Sequence, residues 1–172
     1  MPFRLFAVAT VLVVIAGACS FGKQTSNPPA IGDSCVVGSW VLTEETNESG
    51  YTYAGVPLAV SGMAGATLAI TSSGDEKQSF EKSQPLVGTL PSGLELRITI
   101  RGSIDYKIHA SAGKYAETGT VVQLPTTATA GGAPVTNYHS SYSPGSGTYS
   151  CASGNLTLTT SGGNQVDTWS KG

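Results

Sequence analysis

Charge is scarce in this chain: 12% of its 172 residues are charged, and the formal net charge at neutral pH is -2. A chain with so few basic residues has no positive surface for a phosphate backbone, so we expect no nucleic-acid partner. Apolar residues nowhere recur with a sustained helical period, whereas glycine contributes 22 residues. The composition therefore argues against helices and favours short strands joined by turns.

Residues that carry metal or catalytic chemistry are also few. There is no Cys-x-x-Cys spacing, and His109 and His139 lie in unrelated segments, so we expect no metal site. His139 adjoins Ser140 and Ser141, but neighbours on a strand point to opposite faces, so adjacency does not let His139 activate either hydroxyl. No Gly-x-Ser-x-Gly elbow stands in a strand-to-helix context. We expect neither an enzyme nor a cofactor.

Acidic residues gather at one place, where Glu44, Glu45 and Glu48 follow the first apolar segment of the folded part. Three carboxylates so close together suggest a cation site. They lack the Asp, Asn and Gly pattern of a calcium loop, however. We therefore interpret these glutamates as a solvated turn.

The N-terminal apolar stretch is too short to span a bilayer comfortably. Arg4 precedes an apolar run at 5–15, and three small residues follow it, as in a secretory signal peptide. The next residue is Cys19. This arrangement resembles the bacterial lipobox, whose cysteine takes a diacylglyceryl group, although Ala16 stands where leucine is usual. The alternative is an ordinary signal peptide cut after Ala18, with Cys19 as a spare thiol.

We therefore expect three segments: a lipoprotein signal peptide at 1–18, a flexible tether at 19–34 and a folded domain at 35–172. A diacylglyceryl anchor on Cys19 would hold the protein at the cell membrane on the extracytoplasmic side. Two acyl chains anchor a protein stably where one chain does not. The slightly acidic chain offers no electrostatic attraction to an anionic membrane, so the lipid would carry the attachment.

With Cys19 acylated, two cysteines remain. Cys35 and Cys151 then most simply form one disulfide in an oxidising compartment. In the chain-entropy model a bridge across so long a loop contributes roughly 4 kcal/mol. The bridge would pin the start of the domain to a segment near its end, which favours closure of a sheet.

Strand patterns run through most of the domain. The segment "LELRITIRGSIDYKIH" at 94–109 alternates apolar and polar residues, which indicates one buried and one solvated face. Turn residues at 72–75 predict a hairpin, and the segment from 147 to the end predicts two more. The segment 44–65 has no clear period, and we interpret its glycine-rich part as a mobile loop or a short strand.

About eight to ten short strands at hairpin spacing leave a β-sandwich or a closed barrel as the main choices. Consecutive hairpins favour an up-and-down order, and the expected disulfide favours closure. The sequence thus predicts an all-β fold, an antiparallel up-and-down β-barrel of about eight to ten strands.

A residue triplet on the first predicted strand points to a family. Gly38 and Trp40 form a Gly-x-Trp pattern, and Lys171 follows on the last predicted strand. This combination resembles the lipocalin or calycin barrels, in which the tryptophan lies under the closed end and a basic side chain packs across the indole. The resemblance implies that Gly38, Trp40 and Lys171 close the barrel, with a cation over an indole worth roughly 0.5 to 2 kcal/mol. More loosely, the chain resembles small actinobacterial lipoproteins of lipocalin-like type.

A barrel of about eight strands either fills with its own side chains or holds one small ligand. We interpret five side chains in or beside the long loops as candidates to line the mouth of a pocket: Tyr51, Tyr53, Met63, Tyr138 and Tyr142. The alternative is that they are ordinary core or rim residues. We expect a membrane-anchored protein that binds a small hydrophobic ligand or an envelope lipid; the alternative is a structural or cell-wall interaction module with a filled barrel.

Overall fold

The computed structural model describes residues 31–136 and 138–172. The described part contains a 3₁₀ turn at Ser34–Val36 and fifteen strands. The strands are β1 (Gly38–Tyr53), β2 (Val56–Gly62), β3 (Thr67–Ile70), β4 (Asp75–Ser79), β5 (Leu86–Thr89), β6 (Glu95–Ile100), β7 (Ser103–Ser111), β8 (Lys114–Thr118), β9 (Val122–Leu124), β10 (Thr126–Ala130), β11 (Ala133–Val135), β12 (Ser140–Tyr142), β13 (Ser146–Ala152), β14 (Asn155–Thr160) and β15 (Gln165–Lys171). The predicted signal peptide at 1–18, Cys19 and the tether up to residue 30 lie outside the described residues. No helix among the described residues has the length and apolar character that a bilayer crossing requires.

Eight strands close on themselves as an antiparallel barrel. Around the wall their order is β1, β3, β4, β7, β8, β13, β14 and β15, and β15 pairs with β1 again. Each barrel strand is followed around the wall by the next barrel strand in the chain. The predicted all-β, up-and-down barrel is therefore confirmed.

The other strands come from excursions that leave one end of the barrel. β2 follows β1, β5 and β6 follow β4, and β9 to β12 follow β8. Because neighbouring strands are antiparallel, β1, β4 and β8 run in the same direction, so all three excursions begin at the same end. We call this end the mouth and the opposite end the floor. β2, β5, β6, β10 and β11 continue the sheet outward from β1, and β9 pairs with β12 separately.

Strand β1 belongs to both the barrel and the added sheet. Its first residues pair with β3, its later residues pair with β2, and its other edge pairs with β15. The register with β15 shifts between Leu42 and Glu44, which marks a β-bulge. Trp40 and Leu42 are buried before the bulge, and Glu45 and Asn47 are buried after it. The bulge therefore moves the inward-facing set by one residue.

In the segment 44–65 the glycine-rich part follows the short-strand alternative, whereas Glu45 differs from the expected solvated turn. Its first part is the continuation of β1, and a two-residue turn at Ala54 and Gly55 leads into β2. Both turn residues have positive φ, 49° and 81°, as the tight turn of a twisted hairpin requires. The glycine-rich part is hence a paired strand, and Glu45 lies inside the barrel and not in a solvated turn.

The alternating segment behaves as predicted. Along β7 every second side chain is buried, and these are Ile104, Tyr106, Ile108 and Ala110. Apolar side chains of the barrel and of the added sheet form one continuous core. The added sheet contributes such residues as Leu86, Leu96, Ile98 and Ile100, each fully buried.

The floor is closed by a tryptophan and a lysine on paired strands. Trp40 is 2% exposed, and its indole N–H donates to the Val36 carbonyl over 3.0 Å. The Lys171 ammonium lies 4.1 Å from the centroid of the Trp40 ring and donates to the Val37 carbonyl over 3.3 Å. Gly38 has a φ of 143°, and a Cβ there would lie 2.7 Å from the Lys171 Nζ. Glycine at 38 thus leaves the space that the ammonium occupies.

A disulfide and the incoming chain complete the floor. Cys35 and Cys151 are bonded with their Cα atoms 6.3 Å apart, which confirms the predicted pair. Ile31 and Gly32, assigned from the sequence to the tether, donate backbone hydrogen bonds to the carbonyls of Ser72 and Ala110 over 3.4 and 3.0 Å. The last tether residues therefore lie on the floor, and the chain joins the barrel at the end opposite the mouth.

We expect Gly38→Ala to lower the free energy of unfolding by about 1 to 3 kcal/mol, because the added methyl displaces the ammonium and the backbone there disfavours a side chain. Lys171→Met should cost about 0.5 to 1 kcal/mol, because the cation is exposed. The double variant should lose less stability than the sum of the two single losses, since both substitutions remove the same contact. Urea unfolding followed by tryptophan fluorescence measures all three.

The matched control for this prediction is Gly162→Ala. Gly162 also has a positive φ, 106°, but a Cβ there would meet nothing within 4 Å. If Gly38→Ala proves no more costly than Gly162→Ala, the contact with the ammonium does not explain the glycine.

Candidate functional site

The barrel holds an interior cavity of about 110 Å³. Side chains from β1, β4, β7, β8, β12, β14 and β15 line it, together with the loop that precedes β13. Leu158 and Trp169 lie on the floor side, and Ser143 and Gly145 lie on the mouth side. The cavity therefore occupies the half of the barrel nearer the mouth.

A second cavity of about 350 Å³ lies at the mouth itself. It shares Tyr142, Ser143 and Gln165 with the interior cavity, so the two are adjacent. Tyr51 and Tyr138 contribute further aromatic surface to it. The interior cavity thus borders a wider, more open space that faces out of the barrel.

Three acidic side chains from three different strands line the interior cavity: Glu45 on β1, Glu117 on β8 and Asp167 on β15. A fourth, Glu76 on β4, is close enough to Glu117 for their charges to interact. Glu45 and Glu76 are 5% and 2% exposed, and the other two are half-buried. Strand alternation carries Asp167 inward with Trp169, two residues away. We call these four side chains the interior carboxylates.

The interior carboxylates meet neutral donors. The Gly145 backbone N–H donates to Glu117 over 2.8 Å, and the Gln78 amide donates to Glu76 over 2.8 Å. The Gln165 amide reaches both oxygens of Asp167, at 3.1 and 3.2 Å.

The ion pairs found in 31–136 and 138–172 lie elsewhere. They join Arg97 to Glu95 and Lys107 to Asp75, and all four of these side chains are at least half exposed. Within the described chain, then, no cationic side chain forms a salt bridge with an interior carboxylate.

Burial without a countercharge keeps these groups protonated to higher pH than usual. It raises the pKa of Glu45 to about 8, and the charge of Asp167 adds to the effect. Burial and then the charge of Glu117 raise the pKa of Glu76 to about 8. Burial raises the pKa of Asp167 to about 7 against the opposing hydrogen bond from Gln165, and burial also raises that of Glu117. Near neutral pH the interior carboxylates are therefore partly protonated and partly ionised.

Aromatic side chains surround the same cavity: Phe80, Tyr106, Tyr115, Tyr142 and Trp169. Phe80 and Tyr142 pack against each other, with ring centroids 5.1 Å apart. The Tyr142 hydroxyl lies beside that of Tyr51, although not in hydrogen-bonding geometry. The cavity is therefore walled by aromatic rings as well as by carboxylates.

Several polar atoms of this wall have no protein partner among the described residues. These include the indole N–H of Trp169 and the hydroxyls of Tyr106 and Tyr142. Trp169 is 2% exposed and Tyr106 is 6% exposed. Since a buried polar atom is costly unless it is hydrogen-bonded, their grouping in one cavity wall points to a site that accepts a polar occupant.

The five tyrosine and methionine candidates from the sequence divide into two groups. Tyr51, Tyr138 and Tyr142 line the mouth cavity. Tyr53 is half-buried and packs on the apolar core, and Met63 is 1% exposed within that core. The structure thus brings three of the five together and places the other two away from both cavities.

The sequence suggests a cation cluster at Glu45 with Glu44 and Glu48, interpreted above as a solvated turn. It does not single out the other members of the site: Glu76, Glu117, Asp167 and Trp169. A signal was present for two of them, because Asp167 shares the parity of Trp169 and Glu117 shares the parity of Tyr115 in short alternating strands. No such signal existed for Glu45, because the bulge in β1 changes the parity.

No group of three or more His, Cys, Asp or Glu side chains in the described ranges has the arrangement of a metal site. The interior carboxylates are thus close enough to influence one another's pKa without converging as metal ligands.

Comparisons of the chain with family models, with curated proteins and with solved structures gave no match. The two cavities and their walls are therefore the features from which a function can be inferred.

We expect the stability of the fold to fall as the pH rises. The ordinary pKa values are 4.5 for Glu45 and 3.8 for Asp167, and the fold raises them to about 8 and about 7. A group with a raised pKa in the fold contributes fully below its unfolded pKa and loses that contribution as the pH rises through its folded pKa. The urea midpoint should therefore be lower at about pH 9 than at about pH 5.

Glu45→Gln should flatten this pH dependence, because the amide cannot ionise. Glu95→Gln, at an exposed ion pair, is the matched control and should leave the slope unchanged. A wild-type midpoint that is equal or higher at the alkaline pH would contradict the assignment.

Proposed function

We propose that the protein binds a small polar molecule inside its barrel. One observation carries the proposal: the interior cavity is walled by carboxylates and by a buried indole N–H that has no partner among the described residues. A buried polar group without a hydrogen bond costs roughly 1 to 3 kcal/mol. Apolar side chains of similar volume would stabilise the barrel better. An occupant that pairs with these groups explains why the chain retains them.

The cavity wall favours a polar ligand over the hydrophobic one expected from the sequence. A carrier of a drug-sized apolar molecule needs roughly 300 Å³ or more of largely apolar space. The interior cavity has about 110 Å³ and includes Glu45, Glu117 and Asp167. The mouth cavity is larger, about 350 Å³, but contains Asn47, Thr52 and a run of serines. Neither cavity offers the apolar channel that an acyl chain prefers.

The anchor on Cys19 remains part of the proposal, on the evidence of the sequence alone. The described chain begins at the floor, where Ile31 and Gly32 are hydrogen-bonded. The residues from Cys19 to Ile31 span at most about 40 Å when fully extended. A lipid on Cys19 would therefore hold the barrel near the membrane by its floor, with the mouth at the far end from the attachment point. This arrangement favours a ligand that arrives from the aqueous phase.

Native mass spectrometry tests the binding proposal. We expect the full mature chain with Cys19→Ser, purified from its own host, to retain a small non-covalent adduct. Ser143→Trp should abolish the adduct, because Ser143 is exposed and borders both cavities, so a bulky ring there blocks the opening. Ser150→Trp is the control, since Ser150 is exposed on β13 and lines neither cavity.

Two results would argue against interior binding. One is an adduct that persists in a folded Ser143→Trp variant. The other is the absence of any adduct from the parent chain when its tryptophan fluorescence also fails to respond to an extract of host metabolites.

Fractionation tests the anchor independently. In a host that processes lipoproteins, we expect the wild-type chain in the membrane fraction with a mass increase at Cys19, and Cys19→Ser in the soluble fraction. Ser20→Ala is the control and should stay with the membrane. If Cys19→Ser remains membrane-bound, the anchor is wrong and the binding proposal is unaffected.

A further inference from the structure

The charge of the interior cavity is unbalanced. Glu45, Glu117 and Asp167 line it from three strands, and none of the described residues that line it is Lys, Arg or His. Carboxylates that share a site cannot all ionise without a countercharge. The neutral donors Gln165 and Gly145 satisfy part of Asp167 and Glu117 but supply no positive charge. The occupant that would complete this wall is cationic.

The aromatic part of the wall suits a particular kind of cation. Rings of tryptophan, tyrosine and phenylalanine attract ammonium groups through their π faces, most strongly where water is excluded. Tyr106, Tyr115 and Trp169 line the cavity alongside the three carboxylates. Metal ions instead need converging ligands, and the described residues contain no such group. The wall therefore favours an organic ammonium ion over a metal ion.

The polar atoms without partners and the volume of the interior cavity restrict the class of ligand further. The Trp169 indole N–H can only donate, so it calls for an acceptor on the occupant. The hydroxyls of Tyr106 and Tyr142, which line the same cavity without partners, can donate or accept. The cavity of about 110 Å³ equals the liquid volume of about three or four water molecules. A short molecule with one ammonium group and one hydroxyl matches this size and these partners.

We propose that the interior cavity binds a small protonated amino alcohol, with its ammonium group among Glu45, Glu117 and Asp167 and its hydroxyl at the Trp169 indole. This inference rests on the proposed function and names the chemical class of its ligand. A longer amine extends into the mouth cavity, between Tyr51 and Tyr138.

Proton linkage supports the same assignment. The titratable groups around the site are Glu45 and Tyr51 from β1, Glu76 from β4, Tyr106 from β7, Tyr115 and Glu117 from β8, Tyr142 from β12, Tyr138 just before it, and Asp167 from β15. The tyrosines have pKa values raised above 10 and stay neutral. The pKa of Glu45 is about 8 and that of Asp167 is about 7. An ammonium ion should therefore displace protons, and its affinity should rise as the pH increases through this interval.

Nuclear magnetic resonance titration of the full mature chain with Cys19→Ser tests the proposal. The matched probes are ethanolamine and ethylene glycol, which have the same number of heavy atoms and differ in an ammonium group against a hydroxyl. We expect ethanolamine to shift the indole N–H resonance of Trp169 with a millimolar or tighter dissociation constant. Trp40 at the floor is the internal reference and should not move.

The variants and the pH give quantitative expectations. Ethanolamine should bind at least tenfold more tightly at about pH 8 than at about pH 6, and ethylene glycol at least tenfold more weakly than ethanolamine. Glu45→Gln and Asp167→Asn should each reduce the affinity for ethanolamine about tenfold, which is the scale of one lost charge-assisted hydrogen bond. Glu95→Gln should leave it unchanged, because that carboxylate lies outside the barrel.

Each other outcome overturns the inference. Equal affinity for the two probes would rule out specific recognition of the ammonium group, but it would still be consistent with the binding of a polar molecule. If neither probe shifts the Trp169 indole resonance at up to about 100 mM, the amino-alcohol proposal is also wrong. If the host-purified chain nevertheless carries a cavity-dependent adduct, interior binding survives, and if it carries none, both proposals fail together.

Discussion

Carboxyl groups inside a β-barrel, with neutral partners in place of cations, are the constraint on which the rest of this structure depends. Removing a carboxylate from water favours its protonated form, and the interior carboxylates show this as pKa values near 7 and 8 for Glu45, Glu76 and Asp167. No lysine or arginine of the described chain forms an ion pair with these groups that would stabilise their charged forms. These carboxyls therefore lower the stability of the mouth half of the barrel, and perturbed pKa values of this kind cluster at functional sites.

The floor half supplies the stability that this arrangement requires. The Cys35 to Cys151 bridge joins the start of the domain to the end of β13, and Trp40 fills the floor beneath Lys171. The three excursions begin at the mouth, so the closed end stays free of long insertions. The two ends thus have separate roles, since one holds the barrel together and the other carries the cavities.

The floor could be predicted from the sequence because single residue types determine it. Cysteines, a Gly-x-Trp pattern and a terminal lysine are recognisable without knowledge of strand register. Hairpin spacing left a sandwich or a barrel open, and the expected disulfide favoured the barrel. The cavity depends on register, which is harder to predict. Glu45 faces inward because a bulge shifts the parity of β1. The sequence pattern gives no sign of this, since a glutamate close to Glu44 and Glu48 is typical of a solvated segment. Met63 lies in the core at a positive φ of 59°, a conformation that composition does not signal.

The most direct test of the account is the titration of the side-chain carboxyl carbons by nuclear magnetic resonance, in the ligand-free chain that starts at the predicted mature N-terminus and carries Cys19→Ser. We expect the resonances of Glu45, Glu76 and Asp167 to titrate together, with apparent pKa values near 7 to 8. Because the groups interact, these values describe the three carboxyls jointly and not each one alone. The reference values are the ordinary pKa values, 4.5 for glutamate and 3.8 for aspartate. If all the interior carboxyls titrate at these ordinary values, they are solvated or paired, and the account of a proton-holding, cation-binding interior is wrong.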